Sequence, residues 1–294
     1  NAFSVSGFAD FTIIPGLVLT LNGNVTIDET RSTSLSNPYY GQFVANNGIV
    51  SKSHGRSYNH NLQQLLNYNK SFGANEEHNI QVLLGHETYN LRSYSWSGYK
   101  TNVYSTDNLE FNGAIVDGKN SSSSFGEYVN EGYFIRGMYE YDGRIFASAS
   151  YRRDASSRFH PDHRWGNFWS IGAAWLINRE SWFHAPFVDM LKVKASYGSQ
   201  GNDEIGAYRY TDTYTYANND GKVAVLFNSK GNPNITWETN GNLNIGAEFG
   251  LWQNRLYGNI DYFHRKTTDM LFYFSVPSSL GYSGYYANVG DMVN

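Results

Sequence analysis

The sequence predicts an all-β fold, a segment of an antiparallel transmembrane β-barrel, and three observations lead to this prediction. Apolar residues recur at every second position over stretches of about ten residues, which is the period of a half-apolar strand. Short turns and long polar connections alternate along the chain, as they do in outer-membrane barrels. The 294 residues are 17% aromatic and 16% charged, with no cysteine and no run of 18 apolar residues. This composition excludes a disulfide-stapled domain and a transmembrane helix, but not a membrane-spanning barrel.

The alternation predicts about ten strands. It is clearest late in the chain, where Leu243, Ile245, Ala247, Phe249 and Leu251 alternate with Asn244, Gly246, Glu248 and Gly250. No segment of comparable length has the apolar stripe of an amphipathic helix. In chain order, the predicted strands cover residues 3–14, 17–27, 60–72, 78–90, 130–141, 145–152, 166–178, 191–197, 243–251 and 256–263.

The connections between these strands are of two kinds, and the kinds alternate. Short turns are predicted at 15–16, 73–77, 142–143 and 252–254, and long polar connections at 31–57, 92–125, 154–165 and 201–236. The connection at 179–188 is intermediate in length and falls, by its place in the order, on the short side. An antiparallel meander with tight turns at one edge and long loops at the other is typical of a bacterial outer-membrane barrel. Compact soluble domains seldom keep several loops this long.

Alternation alone does not decide which face of the sheet meets which solvent. In a soluble barrel the apolar residues point inward, whereas in a membrane barrel they point outward to lipid. The predicted strand length favours the membrane barrel. So does a set of aromatic residues near the predicted strand ends, which resembles an interfacial girdle. These residues are Tyr58, Phe72, Tyr89, Tyr133, Tyr141, Tyr151, Trp175, Tyr197 and Tyr262.

Motifs for metal binding or catalysis are weak. His160 and His163 form the one close histidine pair, but a zinc site needs a third protein ligand and none is evident, so we predict no metal and no cofactor. Asp203 and Glu204 could be an acid pair, yet adjacent residues on an extended chain point in opposite directions, which favours a polar loop. The net charge of −4 argues against a nucleic-acid partner.

Aromatic residues in the long connections are the stronger signal. The stretches 89–100 and 208–216 interleave rings with hydroxyl, amide and charged side chains. Flat apolar faces beside directional polar groups suit stacking on sugars or capture of peptides. The alternative is that these rings belong to the membrane girdle or pack loop against loop. The candidate ligand-binding residues are Tyr94, Trp96, Tyr99, Trp165, Tyr208 and Tyr214.

Four blocks of the sequence resemble the SusC/RagA-type TonB-dependent outer-membrane transporters of Bacteroidetes. The first is Tyr-Arg-Arg-Asp-Ala-Ser-Ser-Arg-Phe at 151–159, and the second is Leu-Lys-Val-Lys-Ala-Ser-Tyr-Gly-Ser-Gln-Gly-Asn at 191–202. The third is Asn-Pro-Asn-Ile-Thr-Trp-Glu-Thr at 232–239, continued at 244–246 and 255–271, and the fourth is 277–294. Together the blocks cover about half the chain. One departure is Ala155, which stands where the family usually has glycine and leaves the local turn geometry open.

The resemblance implies a middle-to-late segment of a plugged barrel of roughly 22 strands. We expect residues 1–294 to be part of one barrel domain, without the plug domain and the C-terminal strands. Because an arc of ten strands leaves two unpaired edges, we expect this segment to lie within a larger barrel or complex. The implied location is the bacterial outer membrane, in contact with its lipid.

The resemblance also implies active import of a glycan or oligopeptide, without covalent chemistry. The implied partners are a SusD-like surface lipoprotein and the TonB–ExbB–ExbD complex, the latter acting through the plug. Two alternatives remain open at this stage. One is an outer-membrane barrel enzyme, a hydrolase that uses Asp203, Glu204 or His163, and the other is a passive porin.

Overall fold

The computed structural model describes residues 1–118 and 121–294, and this part of the chain consists of strands joined by turns and loops. The strands are β1 (Ala2–Ile14), β2 (Leu17–Ser36), β3 (Ile49–Phe72), β4 (His78–Val103), β5 (Ala114–Asp117), β6 (Ser122–Tyr141), β7 (Ile145–Ser156), β8 (Trp165–Leu176), β9 (Val188–Asn202), β10 (Thr213–Asn219), β11 (Lys222–Ser229), β12 (Glu238–Leu251), β13 (Leu256–Thr268), β14 (Leu271–Ser275), β15 (Gly284–Asn288) and β16 (Met292–Val293). Single 3₁₀ turns lie at Val44–Asn46, Phe111–Gly113, Ile177–Arg179 and Ser278–Leu280. None of the helical turns among the described residues is long and apolar enough to cross a membrane.

Most strands join one sheet in nearly sequential order. That order is β1-β2-β3-β4-β6-β7-β8-β9-β12-β13-β16, with β5 paired to β4. The pairs β10–β11 and β14–β15 are separate two-stranded hairpins. Strands β1–β4, β6–β9, β12 and β13 each have at least 12 residues, and they correspond one to one with the ten predicted strands. The all-β antiparallel fold predicted from the sequence is confirmed.

The chain divides into two compact units. The first unit comprises Asn1–Phe8, Asn22–Leu62 and Tyr89–Val129, and the second comprises Ala9–Leu21, Gln63–Thr88 and Asn130–Asn294. Each unit has its own small hydrophobic cluster. The cluster of the first unit consists of Val50, Val103 and Ala114, and that of the second consists of Phe159, Phe168, Ile205, Ile235 and Trp237.

Strand register in the second unit separates apolar and polar side chains. β12 pairs with β9 and β13, so that Ile245 lies opposite Ala195 on one side and Tyr262 on the other. Lys194 and Asp261 occupy the next positions along, and side chains alternate between the two faces of a strand. The apolar residues therefore share one face and the charged residues share the other. Ile245 and Tyr262 are 46% and 61% exposed, so protein packing does not cover this apolar face.

The long polar connections are shorter than predicted. Much of 31–57 and 92–125 is strand, because β2 continues to Ser36, β3 begins at Ile49 and β4 continues to Val103. The prediction was wrong there because a strand ladder is made of backbone hydrogen bonds and needs no apolar side chains. Polar cross-strand pairs accompany the ladder instead, as where the Ser95 and Ser124 Oγ atoms lie 2.8 Å apart.

Within the predicted connection at 201–236 the structure places another hairpin. β10 and β11 form a ladder that runs from the pair Thr213 and Ser229 to the pair Asn219 and Lys222. The turn between them is at Asp220 and Gly221, both with positive φ. Residues 119 and 120 of the predicted connection at 92–125 lie outside the described residues.

The predicted short turns are confirmed, and backbone conformation explains them. Gly16 has φ +84°, and a Cβ there would collide with the Asn69 carbonyl oxygen. Asp142 and Gly143 both have positive φ, which is the combination that a tight hairpin turn requires. Ala155 needs no such conformation, because it pairs with Trp165 as an ordinary strand residue near the end of β7.

Candidate ligand-binding surface

The charged face of β9, β12 and β13 in the second unit carries a network of ion pairs. Lys194 Nζ lies 2.8 Å from Glu248 Oε1 and 3.1 Å from Asp261 Oδ1. Lys192 Nζ lies 3.4 Å from the other Glu248 oxygen, Oε2. Three of these side chains, Lys192, Lys194 and Asp261, line a depression of about 670 Å³. Arg136 lines the same depression, and within the described residues its guanidinium makes no ion pair.

A second charged group lies further along the strands, on the same face. Arg152 Nε donates to both Asp154 oxygens at 2.7 and 2.8 Å, and its Nη2 lies 3.2 Å from Glu87 Oε2. Gly132, on the neighbouring strand, leaves room for this arrangement, because a Cβ there would collide with Asp154 Oδ1. The guanidinium Cζ also lies 5.1 Å from the centroid of the Phe134 ring. Sequence analysis did not single out Arg152 or Lys194, although both occupy positions that alternate with apolar residues.

Asp203, a candidate acid of the hydrolase alternative, is part of a structural hydrogen-bond cluster. Its Oδ2 accepts a hydrogen bond from Ser156 Oγ at 2.6 Å, and its backbone oxygen accepts one from Arg158 Nη1 at 3.0 Å. Asp203 therefore ties the loop after β7 to the loop after β9. Glu204 lies beside it with an exposed side chain, and its backbone N–H donates to Asn202 Oδ1.

The hydrophobic cluster of the second unit holds together the loops that Asp203 also joins. Phe159 and Ile235 are fully buried, and the Phe159 and Trp237 ring centroids lie 5.4 Å apart. Trp237 Nε1 donates to the Arg164 carbonyl oxygen at 2.8 Å, which satisfies the one polar atom of the indole. Glycine fits at position 201 because the Phe168 ring occupies the space that a Cβ would need.

The last block of the sequence joins the same cluster through a pair of reciprocal hydrogen bonds. Asn288 Nδ2 donates to the Thr236 carbonyl oxygen at 2.8 Å, and Asn288 Oδ1 accepts from the Thr236 N–H at 2.9 Å. Glu238 bridges the blocks as well, because it accepts from the Leu271 N–H and from Asn202 Nδ2. All four blocks that carry the resemblance to SusC/RagA proteins thus meet in one place.

Comparisons with known proteins decide the family. A family model described as "TonB dependent receptor-like, beta-barrel" matches residues 4–294. The chain belongs to the TonB-dependent receptor β-barrel family. Its relatives include TonB-dependent receptor P39 of Formosa agariphila, 32% identical over 166 residues, which are 55% of this chain and 16% of that protein. They also include TonB-dependent receptor SusC of Bacteroides thetaiotaomicron, 29% identical over 180 residues, 55% of this chain and 17% of that protein.

A solved structure with the same fold gives a fuller match. A chain of the RagAB peptide transporter superposes on 99% of this chain with a TM-score of 0.91 and 28% sequence identity, and the match covers 32% of that chain. The resemblance to SusC and RagA proteins is therefore confirmed, as is the assignment to a barrel segment of the outer membrane. This chain spans less than a third of the RagAB chain and about a sixth of SusC and P39.

In this TonB-dependent receptor the first unit carries three of the six predicted ligand-binding residues, all on β4. Tyr94 is 47% exposed, and the Trp96 ring lies 6.3 Å from that of His54. Tyr99 lines a small cleft of about 260 Å³ together with Lys52. The remaining lining residues of that cleft are mostly serines: Ser32, Ser34, Ser51, Ser53 and Ser97.

The other three predicted residues lie in the second unit. The Trp165 ring is 6.2 Å from that of Tyr133, and the Tyr208 ring is 6.5 Å from that of Tyr210. Tyr214 meets Phe227 across the β10–β11 hairpin at 5.7 Å. In neither unit does the described structure bring two of the six rings into contact with each other. Their assignment as ligand-binding residues stays a prediction.

The histidine pair of the receptor lies in the loop after β7. The His160 and His163 rings are 6.4 Å apart, and His160 Nδ1 lies 3.4 Å from Asp162 Oδ2. Among residues 1–118 and 121–294 no group of three or more His, Asp or Glu side chains is arranged to hold a metal ion. The His163 carbonyl oxygen accepts a hydrogen bond from Thr236 Oγ1, so this residue is in contact with the loop cluster.

Removing the buried ring of the cluster tests its role in holding the loops. We expect Phe159→Ala to weaken the local structure by about 3–5 kcal/mol, because the ring is fully buried and its loss leaves a cavity. Hydrogen exchange of amides 156–164 and 232–237 in the full-length receptor measures the effect. Phe272→Ala is the control, since Phe272 is 58% exposed, and it should leave these amides unchanged. Equal exchange in both variants would contradict a supporting role for the cluster.

A carboxylate at the base of the β10–β11 hairpin makes that loop sensitive to acid. The Gly231 N–H and Lys230 Nζ, which bond to Asp212 at 2.9 and 3.0 Å, lower its pKa below the ordinary value of 3.8. The ionised form is favoured in the folded loop, so the stabilisation is present above pH 3.8 and is lost as pH falls through the lowered pKa.

We therefore expect Asp212→Asn to speed hydrogen exchange of the Gly231 amide relative to the wild type at pH 6. The difference at matched pH should shrink once the pH falls below 3.8. Asp220→Asn, at the tip of the same hairpin, is the matched control. A difference between wild type and Asp212→Asn that persists unchanged in acid would rule out the carboxylate as its source.

Proposed function

We propose that this chain is part of an outer-membrane transporter that imports a glycan or an oligopeptide. The observation that carries the proposal is the match over 99% of the chain, at 28% identity, to a chain of the RagAB peptide transporter. The similarity to SusC supports the same class of protein. No covalent step is required, because import needs only binding and release. The resemblance to transporters, and the structural role of Asp203, favour this function over a barrel hydrolase.

The polar face of β9, β12 and β13 supports the proposal that this face lines a barrel interior filled with water or protein. Lys192, Lys194, Glu248 and Asp261 are ionised groups on the face opposite the apolar one, and lipid is a poor solvent for such groups. We propose that the whole protein carries a plug domain against this face. Arg136, which makes no ion pair among the described residues, is available there to a carboxylate of the plug or the ligand.

We further propose two protein partners for the whole transporter. A SusD-like lipoprotein would cover the extracellular loops and help to capture the ligand, and the TonB–ExbB–ExbD complex would supply the energy that displaces the plug. The similarity to SusC and to the RagAB peptide transporter supports the first partner. Membership of the TonB-dependent receptor family supports the second.

Energy coupling is the first test of this function. Cells that express the full-length receptor should take up labelled oligopeptides or oligosaccharides only while the proton gradient is intact, and a protonophore should abolish uptake. The purified receptor should neither hydrolyse these compounds nor conduct ions freely across a planar bilayer. Hydrolysis without an energy source would contradict the transporter proposal in favour of an enzyme. Free ion conduction would contradict it in favour of a porin.

The aromatic residues of β4 provide a test of ligand binding. We expect Trp96→Ala or Tyr99→Ala to raise the half-saturating ligand concentration for uptake by about twofold to tenfold, because a stacked ring contributes roughly 0.5–1.5 kcal/mol. Phe125→Ala is the matched control, since Phe125 is an exposed ring of β6 in the same unit and is not among the predicted residues. Unchanged half-saturation in Trp96→Ala and Tyr99→Ala would remove both positions from the ligand site.

A further inference from the structure

The β10–β11 hairpin lies in the connection between β9 and β12 and has no third strand. Within the described chain its two strands pair only with each other. Tyr216 and Val223 are 76% and 77% exposed, so the rest of the protein does not cover the hairpin at these positions. A two-stranded hairpin by itself is marginally stable in water, and a third strand stabilises it.

One face of the hairpin is aromatic and apolar. Tyr214 lies opposite Phe227, and Tyr216 lies opposite Val225. Side chains at alternate positions of a strand share a face, so Val223 belongs to the same face as these four residues. All five side chains are exposed. An exposed apolar patch of this kind marks a surface that binds another molecule.

The turn of the hairpin determines which backbone groups of β10 are free. Both turn residues have positive φ, which is the conformation of a type I′ turn with two residues in the loop. The pair that flanks this turn, Asn219 and Lys222, is then hydrogen-bonded, and bonded and non-bonded pairs alternate from there along the ladder. The β10 residues whose N–H and C=O groups point away from β11 are therefore Tyr214, Tyr216 and Asn218.

The free edge of β10 lacks the features that usually protect an edge strand. Proteins protect such edges with charged side chains, proline or β-bulges. β10 reads Thr-Tyr-Thr-Tyr-Ala-Asn-Asn, with no charged residue and no proline, and its register irregularity lies at the base, between Thr213 and Tyr214. Among the described residues, no backbone hydrogen bond joins the outward groups of β10 to another segment.

The edge of β11 is less open than that of β10. The Phe227 ring, near the base of β11, lies 6.3 Å from the ring of Tyr282 in the loop after β14. Within the described part of the chain, the one ring contact of β10 is that of Tyr214 with Phe227, inside the hairpin. The β10 edge is therefore the better place for an added strand.

A peptide in the extended conformation is complementary to this edge. Its backbone offers N–H and C=O groups at the same two-residue repeat, so it can pair with β10 whatever its sequence. Its alternate side chains then lie beside Tyr214 and Tyr216, which favours apolar residues at those positions. A glycan can stack on a tyrosine ring, but it lacks alternating donors and acceptors at the repeat of a strand. The hairpin also lies on the long-loop side, which in outer-membrane barrels faces the outside of the cell.

We propose that the free edge of β10 is a binding site for an oligopeptide, which adds to the hairpin as a third strand. The inference rests on the proposed import function, and it selects the oligopeptide from the two ligand classes considered there. The likeness to a chain of the RagAB peptide transporter supports this choice.

Fluorescence anisotropy with the purified full-length receptor in detergent tests the proposal. The probe is a fluorescein-labelled heptapeptide with blocked ends in which threonine and valine alternate. Peptide residues whose backbone faces β10 carry their side chains on the tyrosine face, so valine is expected there. The comparison is the same peptide with every valine N-methylated, which removes the donors to β10. We expect it to bind at least tenfold more weakly than the unmodified probe.

Two variants at one position separate the backbone donor from the ring. Tyr216→Ala removes the ring and keeps the N–H, whereas Tyr216→Pro also removes the N–H, which points away from β11. We expect Tyr216→Pro to bind the probe about tenfold more weakly than Tyr216→Ala. Val225→Pro is the matched control, because Val225 lies opposite Tyr216 and its N–H points to the other edge. Hydrogen exchange of the Thr215 and Ala217 amides, which pair with β11, checks that the hairpin persists in each variant.

Several results would overturn the proposal. They are equal binding by Tyr216→Pro and Tyr216→Ala, equal binding of the N-methylated probe, and weakening by Val225→Pro as large as that by Tyr216→Pro. Displacement of the probe by a neutral heptasaccharide of glucose would assign the face to glycans instead. Dimers of the wild type that Tyr216→Pro abolishes in sedimentation would assign the edge to a second copy.

Failure of this site and failure of the import function give different results. Binding of the probe is measured without a proton gradient, so peptide uptake that ignores a protonophore would contradict the transporter proposal alone. Gradient-dependent peptide uptake that is equal in Tyr216→Pro and Tyr216→Ala would leave the transporter in place and overturn the β10 site.

Discussion

Backbone hydrogen bonding is the constraint on which the rest of this structure depends. In the hydrocarbon of a bilayer a strand finds no partner for its N–H and C=O groups except another strand, so the ladder must be continuous from one strand to the next. Once the ladder is complete, the side chains are free to serve two different surroundings. Ile245 and Tyr262 meet the membrane, while Lys194 and Asp261, one position away, pair with each other on the opposite face. The charge-poor, aromatic-rich composition is the average of these two faces.

The same constraint explains which strand ends the sequence predicts well. At the short-turn edge the chain reverses within two residues after β1 and within three after β6. Such reversals require local conformations that Gly16, Asp142 and Gly143 adopt with positive φ. These positions are visible in the sequence. At the other edge β3 and β4 continue for a dozen residues past the point where apolar alternation stops. Their pairing there is a property of neighbouring strands rather than of any single segment, so periodicity does not reveal it.

The residues that carry the family resemblance are chiefly those that hold the loops. Phe159, Ile235 and Trp237 are buried together, and Ser156 and Asn288 each bond to a segment that is far away in sequence. Such residues are recognisable because a buried ring and its hydrogen-bond partner tolerate few replacements. They are also the ones least suited to contact a ligand. For the exposed rings the sequence predicted positions but not partners, since Trp165 meets Tyr133 and Arg153 only through the register of three strands.

Arg152 and Arg153 are neighbours in sequence, but the alternation of side chains along β7 gives them different surroundings. Arg152 is held by Asp154 and Glu87 on the polar face, so its charge is compensated within the chain. Arg153 points to the apolar face and has an aromatic ring but no carboxylate partner among the described residues. An unpaired cation at the bilayer centre would be costly, whereas at the interface water and headgroup phosphates can compensate it. The depth of Arg153, set by its place along β7, therefore decides whether its charge is destabilising or compensated.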